Sequence, residues 1–386
     1  MNTIKIENKY QLLTYEKFPL VINKGKGCYV WDENGEKYLD FYGGHAVALV
    51  GHCHPAVVKA VSKQLKELIF YSNVVYNPQR AIAAKSLIEL TNGKFTNVFF
   101  CNSGTEANET ALKLAKKYTQ KDEIISFIGS FHGRTIGSLS ITGFEKYHKD
   151  IGSLMSNVKF AQLGNIESVK KLITDNTAAV ILEPIQSIAG INEAPSDFYI
   201  QLKQLCEEKS IVLIFDEVQT GLGRTGKMFY GDHYKITPDI ITLAKGISGG
   251  LPAGAVLVSK KILDSVKLND QGSTFGGGPV ICAAIIAVVK IIKDQHLVKN
   301  TNKLGNLLIK EINKLPHVIK VNGKGLLLGI ELDVAAKKIQ LGLLSKKIIT
   351  GTSSNPQVLR IMPPLIITKN ETLLFIKNLG SVLKNL

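Results

Sequence analysis

The chain has 386 residues, 45% apolar and 20% charged, a composition that excludes a disordered or fibrous protein and a length that calls for two domains. Its formal net charge of +15 is almost all lysine, spread along the chain with no arginine-rich arm and no aromatic–basic interleaving. That pattern predicts a solvated lysine surface and no nucleic-acid partner. Five cysteines (Cys28, Cys53, Cys101, Cys206 and Cys282), odd in number and without a C-x-x-C pair, fit reduced thiols rather than a disulfide frame or a metal site.

Residues 1–20 are charged and polar throughout, with no apolar core followed by a small-residue cleavage site, and a cytoplasmic protein is expected. Gly27 to Phe41 alternates like a short hairpin, with Glu33-Asn34-Gly35 as its turn. From about Pro55 to Ala284, helical stretches alternate with short apolar strands such as Val98 to Phe100, Ile124 to Phe127 and Ala179 to Leu182. This is the rhythm of an α/β layer sheet.

The strand at Val98 to Phe100 is followed by Asn102-Ser103-Gly104-Thr105-Glu106-Ala107-Asn108, leading into an Ala- and Leu-rich helix over Glu109 to Lys117. Small residues at a strand-to-helix turn leave the first helical N–H groups free for an anion, with hydroxyls as further donors, and make Gly104 and Thr105 candidate phosphate contacts. Taken alone, Ser-Gly-Thr before Glu is equally the pattern of a plain helix cap.

Two later strands end on reactive groups. Asp216 closes the run Ile211 to Phe215, and Lys245 follows the run Ile240 to Ala244. A buried parallel strand delivers its last side chain to the carboxyl edge of the sheet, where ligands bind, and residues 217–239 suffice for a crossover that sets the two strands near one another. An acid and an amine in one crevice are the equipment of a pyridoxal-phosphate (PLP) enzyme: the amine holds the aldehyde, and the carboxylate keeps the pyridine nitrogen protonated. A strand-end cap and a solvated lysine would read the same from these two residues alone. The anion cradle upstream favours PLP.

Pro279 to Ile292 is the most apolar stretch, interrupted by Lys290 and too short to span a bilayer, so it reads as a buried helix and no membrane partner is expected. Beyond it the pattern changes to helix, strand pair and helix. The expected division is an N-terminal segment 1–54 joining the small domain, a large PLP-binding domain 55–289, and a small α+β domain 290–386.

Only four arginines occur, Arg80, Arg134, Arg224 and Arg360, in a chain that otherwise uses lysine. A planar fork holds a carboxylate by two parallel hydrogen bonds, which an ammonium cannot do. Arg134, in Ser130-Phe131-His132-Gly133-Arg134-Thr135, and Arg360, before Pro363-Pro364, are the candidates for substrate carboxylates; pairing with structural acids is the alternative.

The chain resembles the class III, fold-type I PLP aminotransferases, most closely the acetylornithine aminotransferase group. The likeness runs nearly end to end, through Gly51-His52-Cys53-His54-Pro55, Asn102-Ser103-Gly104-Thr105-Glu106-Ala107-Asn108, Phe131-His132-Gly133-Arg134-Thr135 and Glu183-Pro184-Ile185-Gln186. It continues through Asp216-Glu217-Val218-Gln219-Thr220-Gly221, Gly223-Arg224-Thr225-Gly226, Ala244-Lys245-Gly246, Gly272-Ser273-Thr274-Phe275-Gly276-Gly277 and Arg360-Ile361-Met362-Pro363-Pro364.

The resemblance implies a large α/β domain with a mostly parallel sheet and a smaller α+β domain. It makes Lys245 the cofactor lysine and proton carrier, Asp216 the partner of the pyridinium nitrogen and Gln219 that of the ring hydroxyl, with Val218 under the ring and Phe131 over it. Gly104 and Thr105 would hold the phosphate, joined by Thr274 from a second subunit, so a homodimer with shared active sites is implied. Arg134 and Ser273 would take the distal end of the substrate, and Arg360 the α-carboxylate of glutamate or 2-oxoglutarate. The implied reaction moves the terminal amino group between an N-acylornithine and 2-oxoglutarate; N-succinylornithine, ornithine and 4-aminobutyrate are alternative substrates on the same scaffold. One departure stands out. The family usually places a glutamate two residues after Glu-Pro-Ile-Gln, where it masks the α-carboxylate arginine, and here that position is Ile188. Arg360 is expected to lack its usual partner, which is costly unless another group reaches it or the acyl substrate differs.

Overall fold

The computed structural model describes residues 2–386. Its centre is a seven-stranded sheet in the spatial order Asn97–Cys101, Gly254–Val258, Ile240–Leu243, Val212–Asp216, Thr177–Leu182, Glu123–Phe127 and Val158–Ala161. All neighbours pair in parallel except Gly254–Val258, which runs antiparallel to both of its own. The strands read as continuous apolar runs because both faces are buried. Their period of two sorts side chains into two cores: Ile124, Ile181, Val212 and Ile214 face one way, Ile125, Val180, Leu213 and Phe215 the other.

The first core is closed by the helix Gly104–Thr119, whose Ala107, Ala111 and Ala115 let it sit close to the strands. The second is continuous with the packing of the helix Pro279–Asp294, buried along most of its length as its apolar sequence requires. At about 1.5–3 kcal/mol per fully buried large apolar side chain, these two layers dominate the favourable side of folding.

The remaining expectations hold with two differences. Tyr29–Asp32 and Lys37–Asp40 form the hairpin, pairing Val30 with Tyr38. The C-terminal stretch has the expected helix Leu297–Ile312, strand pair Val318–Lys324 and Leu327–Leu332, and helix Lys369–Lys384, but it also carries the helix Ala336–Ser345 and the strand Val358–Ile361. In that last strand Arg360 interrupts the apolar run by which the other strands are read. Ile348–Ile349 pairs with the N-terminal hairpin, Ile348 opposite Leu39. The second difference lies at the cradle: the helix begins at Gly104, five residues before the expected Glu109, because Ser103 caps it by accepting from the amide of Glu106. No helix is long and apolar enough to cross a membrane among the described residues.

Candidate active site

Asp216 is the last residue of its strand, opposite Thr242 on the adjacent parallel strand, and Lys245 stands just beyond that strand's end. Both therefore open on the carboxyl edge of the sheet, as the two-strand pattern predicts. They line one cavity of about 470 Å³, together with Gly104, Thr105, Val218 and Gln219. Phe131 and Arg134 complete its wall. Lys245 is half-buried, and the desolvation of its amine lowers its pKa, while Asp216 and Glu183 pull the other way. Its φ of +47° is a left-handed conformation that a side chain rarely adopts, the kind of strain that collects at functional sites.

Asp216 is fixed by neighbours that the sequence reading passed over. Its Oδ2 accepts from Asn108 Nδ2 at 2.8 Å and His132 Nδ1 at 2.7 Å, and its Oδ1 from the amide of Val218 at 3.1 Å. Asn108 also accepts from Thr242 Oγ1 at 2.7 Å, so one amide ties the helix to both strands that carry the site. Position in the helix gave a signal for Asn108: it lies one turn beyond Gly104, on the same face.

At the helix N-terminus, the amides of Gly104 and Thr105 have no protein acceptor among the described residues. A Cβ on Gly104 would lie 3.0 Å from Val218 Cγ2, so glycine is what lets Val218 pack against this turn. The hydroxyl of Thr105 is spoken for. Glu109 only accepts, so Thr135 donates to it at 2.6 Å and Thr105 donates to Thr135 at 2.8 Å, which leaves Thr105 its amide for an anion.

Phe131 donates its amide to Glu183 Oε1 at 2.7 Å, and burial raises the pKa of Glu183. Arg134 is exposed and lies over the Tyr147 ring, 4.3 Å from its centroid. Gln219 accepts from Ser187 Oγ at 3.0 Å, so its amide nitrogen stays available. Three of the expected residues do not line the cavity. Ser273 instead accepts from Asn102 Nδ2 at 3.2 Å, Thr274 is exposed, and Arg360 is buried behind the wall.

Arg360 lacks an acidic partner, as Ile188 led one to expect, and other groups reach it. No acid stands in for the missing glutamate. Its partners are neutral oxygens: Nε donates to the Thr352 carbonyl at 2.6 Å, Nη1 to Ser187 Oγ at 3.0 Å, and Nη2 to Tyr42 Oη at 3.2 Å. Ile188 contributes through its backbone, its carbonyl accepting from the Ser354 amide at 2.8 Å.

The donor set fits PLP: free amides at a long helix's positive end for a phosphate, a half-buried lysine lining the cavity for an aldehyde, and a buried carboxylate for a ring nitrogen. The chain matches the model of the class III aminotransferases over residues 11–383 and belongs to that family of PLP-dependent enzymes. Its large, mostly parallel sheet flanked by helices is the fold-type I α/β architecture expected from the sequence. It is 43% identical to the acetylornithine aminotransferase of Methanocaldococcus jannaschii over 95% of this chain and 94% of that protein. It is also 39% identical to ornithine aminotransferase 1 of Staphylococcus saprophyticus, with 94% of each covered. Among solved structures it resembles the ornithine aminotransferase of Toxoplasma gondii, in which PLP partly occupies the active site, with a TM-score of 0.93, 30% identity, and 99% of this chain and 94% of that one covered.

Proposed function

We propose that this aminotransferase moves the terminal amino group between N-acetylornithine and 2-oxoglutarate, forming N-acetylglutamate 5-semialdehyde and glutamate, in arginine biosynthesis. The observation that carries the reading is the meeting of Lys245, Asp216 and a free helix N-terminus in one cavity that Arg134 also lines, with neither Arg134 nor the buried Arg360 paired to a carboxylate among the described residues. Relatives named acetylornithine aminotransferase, at about 40% identity over nearly the whole chain, support the choice of substrate.

When bound, PLP supplies an aldehyde that accepts the amino group and a ring that draws electrons from the carbon losing its proton. The amides of Gly104 and Thr105 would hold its phosphate, Val218 and Phe131 would pack against its ring, and the amide nitrogen of Gln219 would be free to donate to its hydroxyl. Asp216 keeps a proton at the ring nitrogen. Lys245 would hold the aldehyde and, with its amine free, would carry the proton between the substrate carbon and the adjoining cofactor carbon within each half of the transfer. Its lowered pKa favours the neutral amine that this needs. Arg134 and Ser273 would receive the distal carboxylate, and Arg360 the α-carboxylate of glutamate or 2-oxoglutarate.

Residues 1–54 and 290–386 form the smaller lobe against the larger unit 55–289 in this reading, in keeping with the pairing of Ile348 and Leu39. The enzyme works as a homodimer in which Thr274 reaches the neighbouring phosphate. Its exposure supports this, as does the exposed apolar surface formed by Phe275, Phe70, Tyr71 and Tyr76. Five free cysteines agree with a reducing cytoplasm.

The test is a visible spectrum of the PLP-loaded protein, titrated with glutamate and separately with N-acetylornithine, N-succinylornithine and ornithine. Loss of the visible band with glutamate and N-acetylornithine supports the assignment. Loss with glutamate and one of the other amines alone moves the substrate to that amine, the ornithine arm being the one favoured by the Staphylococcus relative.

A further inference from the structure

Arg360 has five N–H donors, and protein oxygens take three of them. One donor remains on each terminal nitrogen, the complement of a carboxylate's two oxygens. For Tyr42 Oη to accept from Arg360, its own proton must go elsewhere, and it goes to His45 Nδ1, with which Tyr42 makes a short hydrogen bond. His45 can accept because burial, together with the charges of Lys245 and Arg360, pushes its pKa down to about 3 and leaves the ring neutral.

The backbone that presents His45 is unusual. Gly43, Gly44, His45 and Ala46 have φ of +58°, +54°, +66° and +64°, one turn of left-handed helix closed by the bond from the Ala46 amide to the Tyr42 carbonyl. Asp40 pins this turn: Oδ1 accepts from the amides of Tyr42 and Gly43, and Oδ2 from the amide of Gly44 and from His52 Nε2. Gly43 is required, since a Cβ there would lie 2.6 Å from the Met362 carbonyl. At position 45 glycine would relieve strain, yet a histidine is held there.

We propose that Tyr42 and His45, presented by this left-handed turn, are positioning residues that hold Arg360 ready for a substrate carboxylate in the place of an acidic partner. The inference rests on the reading that Arg360 takes the α-carboxylate of glutamate and 2-oxoglutarate. It explains how a buried guanidinium is kept in register without a neighbouring carboxylate that an incoming substrate would have to displace.

The experiment measures glutarate binding to the PLP-loaded enzyme by calorimetry, alongside KM and kcat for glutamate. His45→Leu, which removes the acceptor, is expected to weaken glutarate binding by roughly tenfold and to raise KM for glutamate with kcat little changed. His45→Asn, which keeps a side-chain acceptor and tolerates the left-handed backbone, is expected to restore binding to within about threefold. Ala46→Gly, which relieves strain one residue on, is expected to bind like the wild type. Should His45→Leu fold poorly, Tyr42→Phe removes the same link while keeping the ring, and the same loss is expected. Wild-type affinity in both His45→Leu and Tyr42→Phe overturns the inference, as does an equal loss in Ala46→Gly. Failure of the wild type itself to bind glutarate overturns instead the assignment of Arg360 to the α-carboxylate.

Discussion

His132 Nδ1 lies 2.7 Å from Asp216 Oδ2, and both side chains are closed off from solvent. A carboxylate only accepts, so Nδ1 carries the proton, while Nε2 is left buried without a partner. His132 thus serves one neighbour, and its service is to orient Asp216. His132→Leu leaves that oxygen with Asn108 alone in a water-poor cavity, a loss of about 1–3 kcal/mol, or roughly 5- to 150-fold. The expected outcome is a fall of that size in kcat/KM, with faster loss of PLP on gel filtration. Unchanged cofactor retention would mean that Asn108 and the Val218 amide suffice.

Lys245 is the residue on which the chemistry converges. Lys245→Ala is expected to lower turnover by about 10²- to 10⁴-fold and to abolish covalent retention of PLP after borohydride reduction, read by intact mass. Burial lowers the lysine's pKa from its ordinary 10.5, so the acid limb of the wild-type pH–rate profile should fall below that value. A limb at or above it would show that the pull of Asp216 and Glu183 outweighs burial.

Gly133 is a second point where a single atom decides. Its φ is +140°, and a Cβ there would lie 2.2 Å from Thr105 Oγ1 and 2.8 Å from Ser138 Cβ. Neither neighbour can withdraw freely, because Thr105 is bonded to Thr135, and Ser138 Oγ donates to the Thr105 carbonyl at 3.0 Å. Gly133→Ala should cost about 1–3 kcal/mol of stability by denaturant titration and should loosen PLP, since the strain falls on the first turn of the helix proposed to hold the phosphate.

Asp216, Lys245 and Gly104 were legible in the sequence because each ends an apolar run or opens a helix, and the topology of a parallel sheet carries such positions to one edge. His132 and Ser187 were not, although His132 lies within a quoted motif. Their roles depend on contacts between residues separated by 84 and 173 positions, which no local periodicity encodes. The same limit applies to Arg360: its need for a partner could be read from Ile188, but Tyr42 as the answer required a left-handed turn at a histidine, where propensity alone would place glycine. Thr274 and Ser273 read as site residues by resemblance, yet within one chain they stand outside the cavity.

Glu217, beside Asp216 in sequence but pointing into the protein, sets a pH dependence of stability. It accepts from the Tyr230 amide at 2.8 and 2.9 Å and from Thr220 Oγ1 at 3.2 Å, contacts that favour the charged form, but complete burial outweighs them and pushes its pKa up to about 8 from the ordinary 4.5. Between these values the folded protein holds a proton that the unfolded chain has released. The contribution of Glu217 is therefore fully present below about pH 4.5 and is lost as the pH rises through about 8. Glu183, also raised by burial, acts in the same direction. Denaturant midpoints of the wild type are expected to fall between about pH 5 and pH 9, and Glu217→Gln, which cannot ionise, should show a shallower decline over the same range. An equal slope in the two proteins would mean that the contacts from Tyr230 and Thr220 keep Glu217 charged despite its burial.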